Sequence, residues 1–262
     1  MSSIPKYIQL IKHISNWTLY FKRMHEKGAT ARYRTRGTKL VFDVPPRFYE
    51  VFREIFMEDF YRIDDLVRHL PVEPVVVDIG GNVGFFSFLL SSKKPGAKIY
   101  AFEPMIENVK VFNDNCKLNP SLTDSIFLFN QAVTADNNGH IDLFFDNVTD
   151  NSVIASVVKD FSTQNTQVKK VDAISLERIF QENSLERVDL LKVDCEGSEY
   201  PIFYDSPAWL FDKVQTIALE SHELDTEKRN TESLTRFLED KGFTVDRFVA
   251  ENNCYYLKAY RK

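Results

Sequence analysis

The chain of 262 residues is poor in cysteine, carries no excess of basic residues and holds no apolar run long enough to cross a bilayer. Its three cysteines, Cys116, Cys195 and Cys254, are odd in number and widely spaced, with no Cys-x-x-Cys. That argues against a disulfide framework and for free thiols in a reducing, cytoplasmic compartment. The formal net charge of −5 argues against nucleic acid as the partner. The early apolar residues are interleaved with Lys6, Lys12, His13, Lys22 and Arg23, a pattern that opposes both a cleavable leader and a membrane span. What remains is ordinary globular composition, 44% hydrophobic and 27% charged, with 22 phenylalanines to fill a sheet core.

A turn rich in glycine carries most of the functional information. Val75, Val76, Val77, Asp78 and Ile79 form an apolar run without polar alternation, as in a central strand covered on both faces. Gly80, Gly81 and Gly84 then permit a tight turn, close approach to a ligand and close packing of the next helix, and Asn82 tolerates the left-handed backbone. Glu103-Pro104 closes the next apolar run, 98–102, about 20 residues on, where an acid accepts from ribose hydroxyls. Together these features predict an adenosine-type cofactor.

Residues 4–25 read as one amphipathic helix, with Tyr7, Ile8, Ile11, Ile14, Trp17 and Phe21 at helical spacing. It is expected to pack on the catalytic domain or a second subunit, with peripheral contact to a membrane that carries the substrate as the alternative. Two strand-like runs follow, 30–36 and 39–44. Arg32, Arg34 and Arg36 share one face of the first and, with Arg47, form a group suited to clamp a phosphate or carboxylate of the acceptor; as structure alone they make a solvated edge. Residues 48–70 are helical in pattern.

From there strand and helix alternate: strands at 75–79, 98–102, 125–130, 188–193 and 214–219, helices at 85–92, 106–118, 198–204 and 230–241. A less regular stretch lies between 131 and 187, with strand-like runs at 141–145 and 169–174 and polar loops around Asn137, Asn151 and Thr163. The runs 243–248 and 254–260 are joined by a short polar turn at 251–253, with no room for a crossover helix, so they must pair antiparallel. The expected fold is therefore α/β: a doubly wound, Rossmann-like sheet, mostly parallel with an antiparallel last strand, behind an N-terminal helical and β extension. Residues 1–70 are assigned to the extension and 71–262 to the cofactor-binding domain. Such a sheet is the arrangement of class I S-adenosylmethionine methyltransferases.

The motif Asp78-Ile79-Gly80-Gly81-Asn82-Val83-Gly84, the Glu103-Pro104 pair, and Lys192-Val193-Asp194-Cys195-Glu196-Gly197-Ser198-Glu199 resemble, in this order, the signatures of the FkbM-type methyltransferases. The resemblance runs from about Phe56 to the C-terminus. Gly81 stands where alanine is commoner in that family, and Asp172 lies in a Val-Asp-Ala-Ile context instead of Leu-Asp. It implies transfer of a methyl group from S-adenosylmethionine to a hydroxyl oxygen of a sugar, glycan or secondary metabolite. The acceptor is expected to be a small molecule or glycan, phosphorylated or lipid-linked forms included.

In a parallel sheet the ligand lies beyond the carboxyl ends of the strands. That places Asp78, Glu103, Gln131, Asp194 and Glu220 to His222 around one crevice, with Asn130 or Gln131 near the adenine and Asp78 orienting the glycine loop. Asp194 is nominated as the base or as the carboxylate that orients the acceptor, and His222 as the second candidate base. Lys192 shares a strand face with Asp194 and is expensive to bury unpaired, so Glu196, Glu199 or Glu220 is expected to neutralise it, as a brace under the site or in catalysis. Asp194, Glu220 and His222 would suit Mg or Mn, but no compact ligand motif is present and no metal is assigned. An NAD-dependent oxidoreductase and a non-catalytic cofactor-binding module are the rival readings. The terminal strand pair and the lack of a clear Tyr-x-x-x-Lys element oppose the first; the intact Asp78, Glu103, Asp194 and Glu199 set opposes the second.

Overall fold

The computed structural model describes residues 3–25, 28–145, 155–156, 158, 166–249 and 254–262. The N-terminal part consists of helices Ser3–His13 (α1) and Leu19–His25 (α2), a hairpin of Ala31–Arg34 (β1) and Val41–Val44 (β2), helix Tyr49–Arg53 (α3) running into a π-helical turn Glu54–Glu58, and helix Ile63–His69 (α4). The alternating part begins Val75–Ile79 (β3), Phe85–Lys93 (α5), Lys98–Phe102 (β4), Ile106–Lys117 (α6), Ile126–Phe129 (β5). Next come Ala132–Thr134 (β6), His140–Phe145 (β7), Ala155–Ser156 (β8), Gln167–Ser175 (β9) and Leu176–Glu182 (α7). It closes with Leu190–Val193 (β10), Glu199–Tyr204 (α8), Ala208–Asp212 (α9), Thr216–His222 (β11), Thr231–Asp240 (α10), Thr244–Val249 (β12) and Cys254–Tyr260 (β13).

Seven strands make the central sheet in the order β12-β13-β11-β10-β3-β4-β5. β13 is antiparallel to both neighbours and every other pair is parallel, as the terminal pair requires. The turn at 251–253 and the loops at Asn151 and Thr163 lie outside the described residues. The irregular stretch contains a second sheet, β6-β9-β7-β8, and the helix α7, which Ser175 caps by accepting from the Arg178 amide. No helix among the described residues is long and apolar enough to cross a membrane.

Two expectations at the N-terminus need correction. The single helix 4–25 breaks after His13, because Ile14 bridges to Thr35 and Asn16 exchanges hydrogen bonds with the backbone of Arg32 and Arg34 on β1. A side-chain amide that satisfies a strand edge competes with helix continuation. The helical run 48–70 also divides, at Asp59 and Arg62, both left-handed at φ 51°, with the Asp59 carboxylate capping the Ile63 amide.

Strand periodicity sorts the core into two faces. Val77, Ile79, Leu191, Ile217 and Leu219 point into one layer with α7 to α10. Val76, Leu190, Ala218 and Tyr256 point to the other, where they share one core with α5, α6 and the N-terminal extension. There Phe42 stacks on Phe56 at 5.0 Å and Tyr33 on Phe52 at 4.4 Å, all four rings fully buried. Burying each such side chain contributes about 1.5–3 kcal/mol. The extension is thus packed onto the sheet through Leu10 and Ile14 of its first segment, and it covers the face toward which Asp78, Lys192, Glu220 and Cys254 are directed two residues along their strands.

Candidate active site

The glycine turn is fixed by contacts at the ends of three strands. Gly80 and Gly81 donate their amides to Phe102 O at 3.0 and 2.9 Å. Gly80 has φ 73°, and a Cβ there would lie 1.7 Å from Asp194 O, so β3 can meet β10 this closely only with glycine. Asn82 takes φ 49° and donates its amide to Glu103 Oε2 at 2.9 Å, while its own Oδ1 is buried without a partner. Glu103 Oε1 accepts from the Met105 amide at 2.9 Å and from Asn108 Nδ2 at 3.2 Å. Burial pushes the Glu103 carboxyl up to about 7, although its three donors favour the ionised form.

Asn130 holds the two loops at the carboxyl ends of β4 and β5 together. Its Nδ2 donates to Glu103 O and Pro104 O, both at 2.9 Å, and so ties the loop after β5 to the loop after β4. Gln131 is half-buried beside it.

Lys192 lies under the turn, 2% exposed. Its Nζ is 3.2 Å from Asp78 Oδ1 and 3.3 Å from Asp194 Oδ2, and it donates to Gly80 O at 2.7 Å. The expected pairing with Glu196, Glu199 or Glu220 is therefore corrected. Parallel register sets Lys192 opposite Asp78, and strand periodicity sets it beside Asp194, so two carboxylates meet it before any other can. Those two charges hold the ammonium protonated against the cost of burial. Asp78 Oδ2 accepts from Ser87 at 2.7 Å, and Asp194 Oδ2 also accepts from Tyr61 Oη at 2.8 Å.

Glu199, fully buried, belongs to a different network. Its Oε2 accepts from the Gly197 amide at 2.8 Å, and its Oε1 accepts from the His222 amide at 3.0 Å and meets His222 Nδ1 at 3.1 Å. It thereby pins the 195–198 loop to the end of β11. His222 Nε2 faces Glu196 Oε2 at 3.4 Å and Glu220 Oε1 at 3.5 Å, and Cys254 Sγ donates to Glu220 Oε1 at 2.8 Å. Hydrogen bonds to Glu199 and Glu220 and the charges around it push His222 up to about 11. That favours the charged imidazolium and weighs against His222 as the base.

Sequence reasoning missed three residues. Tyr61 and Glu54 come from the extension, which no motif marks; the break at Asp59 delivers Tyr61 to Asp194. Desolvation, with the charges of Asp194 and Glu220 added to it, pushes the Glu54 carboxyl up to about 8. Cys254 was readable in principle, because antiparallel pairing of β13 with β11 puts it opposite His222.

The arginine clamp is a further correction. Gly37 and Thr38 abut Ser92 O at the end of α5, and Asn115 and Asn119 at the end of α6 hold β2. Both helices begin at the crevice, so their far ends carry the hairpin to the opposite end of the sheet. There Arg32 forms a bidentate pair with Asp43, Arg36 donates to Ile11 O, and Arg34 is exposed. Arg47 sits apart, donating to Glu107 O and lying 4.5 Å over the Phe48 ring.

A family model described as the methyltransferase FkbM domain matches residues 78–245. Methyltransferase sdnD of Sordaria araneosa is 31% identical over 227 residues, a match covering 77% of this chain and 84% of that protein. AMB antimetabolite synthetase AmbE of Pseudomonas aeruginosa is 26% identical over 233 residues, which is 74% of this chain but 10% of that much longer protein. Among solved structures, Methyltransferase FkbM from Methylobacillus flagellatus KT shares the fold with a TM-score of 0.50 at 13% identity, over 71% of this chain and 44% of that one.

Proposed function

The chain belongs to the FkbM methyltransferase family and is an S-adenosylmethionine-dependent methyltransferase, and from that premise we propose that it methylates a hydroxyl oxygen of a sugar, glycan or secondary metabolite. The residues fit the donor. Glu103, anchored on the Asn82 and Met105 amides, would accept from the ribose hydroxyls, and the unpartnered Asn82 Oδ1 would meet the ammonium of the methionine part. When bound, S-adenosylmethionine supplies an electrophilic methyl group on a sulfonium.

The observation that carries the hydroxyl reading is the pair of unlike carboxylates on one wall. Asp194 is clamped through Oδ2 by Lys192 and Tyr61, which fix its orientation, so it positions the acceptor hydroxyl through Oδ1. Glu54, pushed up to about 8, is matched to take the hydroxyl proton near neutral pH. Tyr61 and Phe86 pack edge to face and lie together on one side of the Lys192 ammonium, an aromatic wall that restricts water there. The match to part of an antimetabolite synthetase is in keeping with a metabolite acceptor.

Two measurements test this. Calorimetry with S-adenosylhomocysteine should show at least a tenfold loss of affinity in Glu103→Ala, with equal affinity refuting the ribose assignment. Labelled S-adenosylmethionine incubated with metabolite and glycan extracts should give a product methylated on oxygen. A product methylated on nitrogen or carbon would refute the hydroxyl reading.

A further inference from the structure

The sheet places three chemically different donors on one face at the rim of the crevice. Glu220 and His222 are two residues apart on β11, hence on the same face, and His222 is the cross-strand partner of Cys254 on β13. One donor atom from each, all three within 4.8 Å of one another, converge there. Glu196 stands beside this cluster, left-handed at φ 49° and with its carboxylate 3.4 Å from His222 Nε2, from where it can close on a bound ion as a fourth donor.

The distances around His222 Nε2 are those of a coordination shell. Four donors held about 2.0–2.3 Å from one tetrahedral ion lie about 3.3–3.7 Å apart. His222 Nε2 is 3.5 Å from Glu220 Oε1 and 3.4 Å from Glu196 Oε2. Cys254 donates its thiol proton to Glu220 Oε1, a close contact that would open once that proton leaves. The second independent feature is Glu199. Metal-bound histidines commonly direct their other ring nitrogen to a carboxylate, which fixes the ring and its tautomer. Here the fully buried Glu199 meets Nδ1 at 3.1 Å and also holds the His222 amide, so that Nε2 is aimed at Glu196 and Glu220.

We propose that Glu220, His222 and Cys254, completed by Glu196, form a binding site for a divalent transition-metal ion of the zinc type. A nitrogen and a sulfur donor beside carboxylates favour Zn2+ over Mg2+ or Ca2+, which take oxygen ligands. Asp194 is not among the clustered donors and is held instead by Lys192 and Tyr61. On binding, the ion displaces one proton from the His222 ring and one from the Cys254 thiol, and both are released to solvent. The bound ion would tie β11, β13 and the 195–198 loop together at the acceptor side. The site goes beyond the methyl-transfer reading, and its test needs no turnover.

Full-length protein stripped with a chelator, dialysed, and titrated with Zn2+ against a chromophoric chelator should take up one ion per chain. Co2+ in its place should give the near-ultraviolet absorption of a thiolate-to-cobalt bond. His222→Ala should weaken Zn2+ on the order of a hundredfold, and Glu199→Gln by about 10- to 100-fold. Cys254→Ser should abolish the thiolate band while S-adenosylhomocysteine affinity stays at the wild-type value, which also reports that the variant is folded. Absence of Zn2+ uptake, or equal uptake by wild type and His222→Ala, overturns the site. A wild-type Co2+ adduct without a thiolate band overturns the role of Cys254, and this measurement needs no variant. Loss of S-adenosylhomocysteine binding in Glu103→Ala with Zn2+ uptake intact keeps the two readings separable.

Discussion

Replacing Lys192 with methionine should destabilise the fold more than any other single change at the site that leaves the backbone unstrained. The ammonium is 2% exposed, 3.2 Å from Asp78 Oδ1 and 3.3 Å from Asp194 Oδ2. At an effective dielectric constant of about 20, each contact is worth about 5 kcal/mol of gross attraction, offset by several kcal/mol for desolvating each ion. Methionine fills much of the lysine volume but leaves the fully buried Asp78 with Ser87 Oγ on one oxygen and no cation on the other. Removing one partner of such a pair costs about 3–5 kcal/mol, and at about 2–4 °C per kcal/mol the melting temperature should fall by about 6–20 °C. Urea denaturation followed by far-ultraviolet circular dichroism measures the loss, and a double-mutant cycle assigns it. Lys192→Met with Asp78→Asn should show coupling of about 1–3 kcal/mol, and Lys192→Met with Glu199→Gln close to none. A loss below about 1 kcal/mol, or coupling to Glu199 instead of Asp78, would refute the pairing derived from strand register.

Two further outcomes follow from the same contacts. The Glu103 carboxyl is raised by burial from an ordinary value of 4.5 to about 7, so its contribution to stability is fully present below pH 4.5 and is lost as pH rises through 7. Cofactor affinity should run the other way, since the ionised form accepts from ribose: S-adenosylhomocysteine should bind about tenfold more tightly at pH 8 than at pH 6, and Glu103→Gln should flatten that dependence; a variant that kept the wild-type slope would count against it. Gly80→Ala puts a Cβ 1.7 Å from Asp194 O at φ 73° and should cost more than about 4 kcal/mol, whereas Gly139→Ala, at φ 80° with open space around it, should cost only about 1 kcal/mol. Similar losses in both would mean that backbone strain, not the closeness of β3 and β10, demands the glycine.

The sheet was legible because its signals are local. Val75–Ile79 and Leu190–Val193 are four or more residues of apolar or strand-aligned chain, bounded by glycine or acid, and the short turn before β13 settles its direction without any tertiary information. Glu103 was legible for the same reason, as an acid at a fixed distance beyond a glycine turn. The partner of Lys192 was not, because sequence gives which face a side chain takes but not which strand lies next to it. Once β10 is known to sit beside β3 in register, Asp78 follows at once; without that, Glu196, Glu199 and Glu220 are equal candidates. The helix breaks at Ile14 and Asp59 were illegible for a different reason. Apolar spacing continues through both, and the chain departs from the helix only because a strand edge and a capping carboxylate satisfy its backbone elsewhere.

Those breaks decide how the extension meets the site. A helix continuing through residues 48–70 would carry Tyr61 along a straight axis, whereas the π-helical turn and the two left-handed residues fold the segment back so that Tyr61 Oη reaches Asp194 and Phe60 and Tyr61 pack on Tyr256 of β13. The same turn carries Glu54, whose carboxyl senses the charges of Asp194 and Glu220. Lys258 of β13 then pairs with Asp65 of α4 at 2.6 Å, which fixes the far side of the segment to the antiparallel strand. The strand that distinguishes this sheet from a dinucleotide-binding one is therefore also the strand that anchors the cover over the reacting face. Family signatures lie in the sheet and its loops, so they specify where the methyl group comes from. Residues 54–62, which cover the site through Tyr61, lie largely outside the signatures, and substitutions there should alter the acceptor Michaelis constant while leaving S-adenosylhomocysteine affinity unchanged.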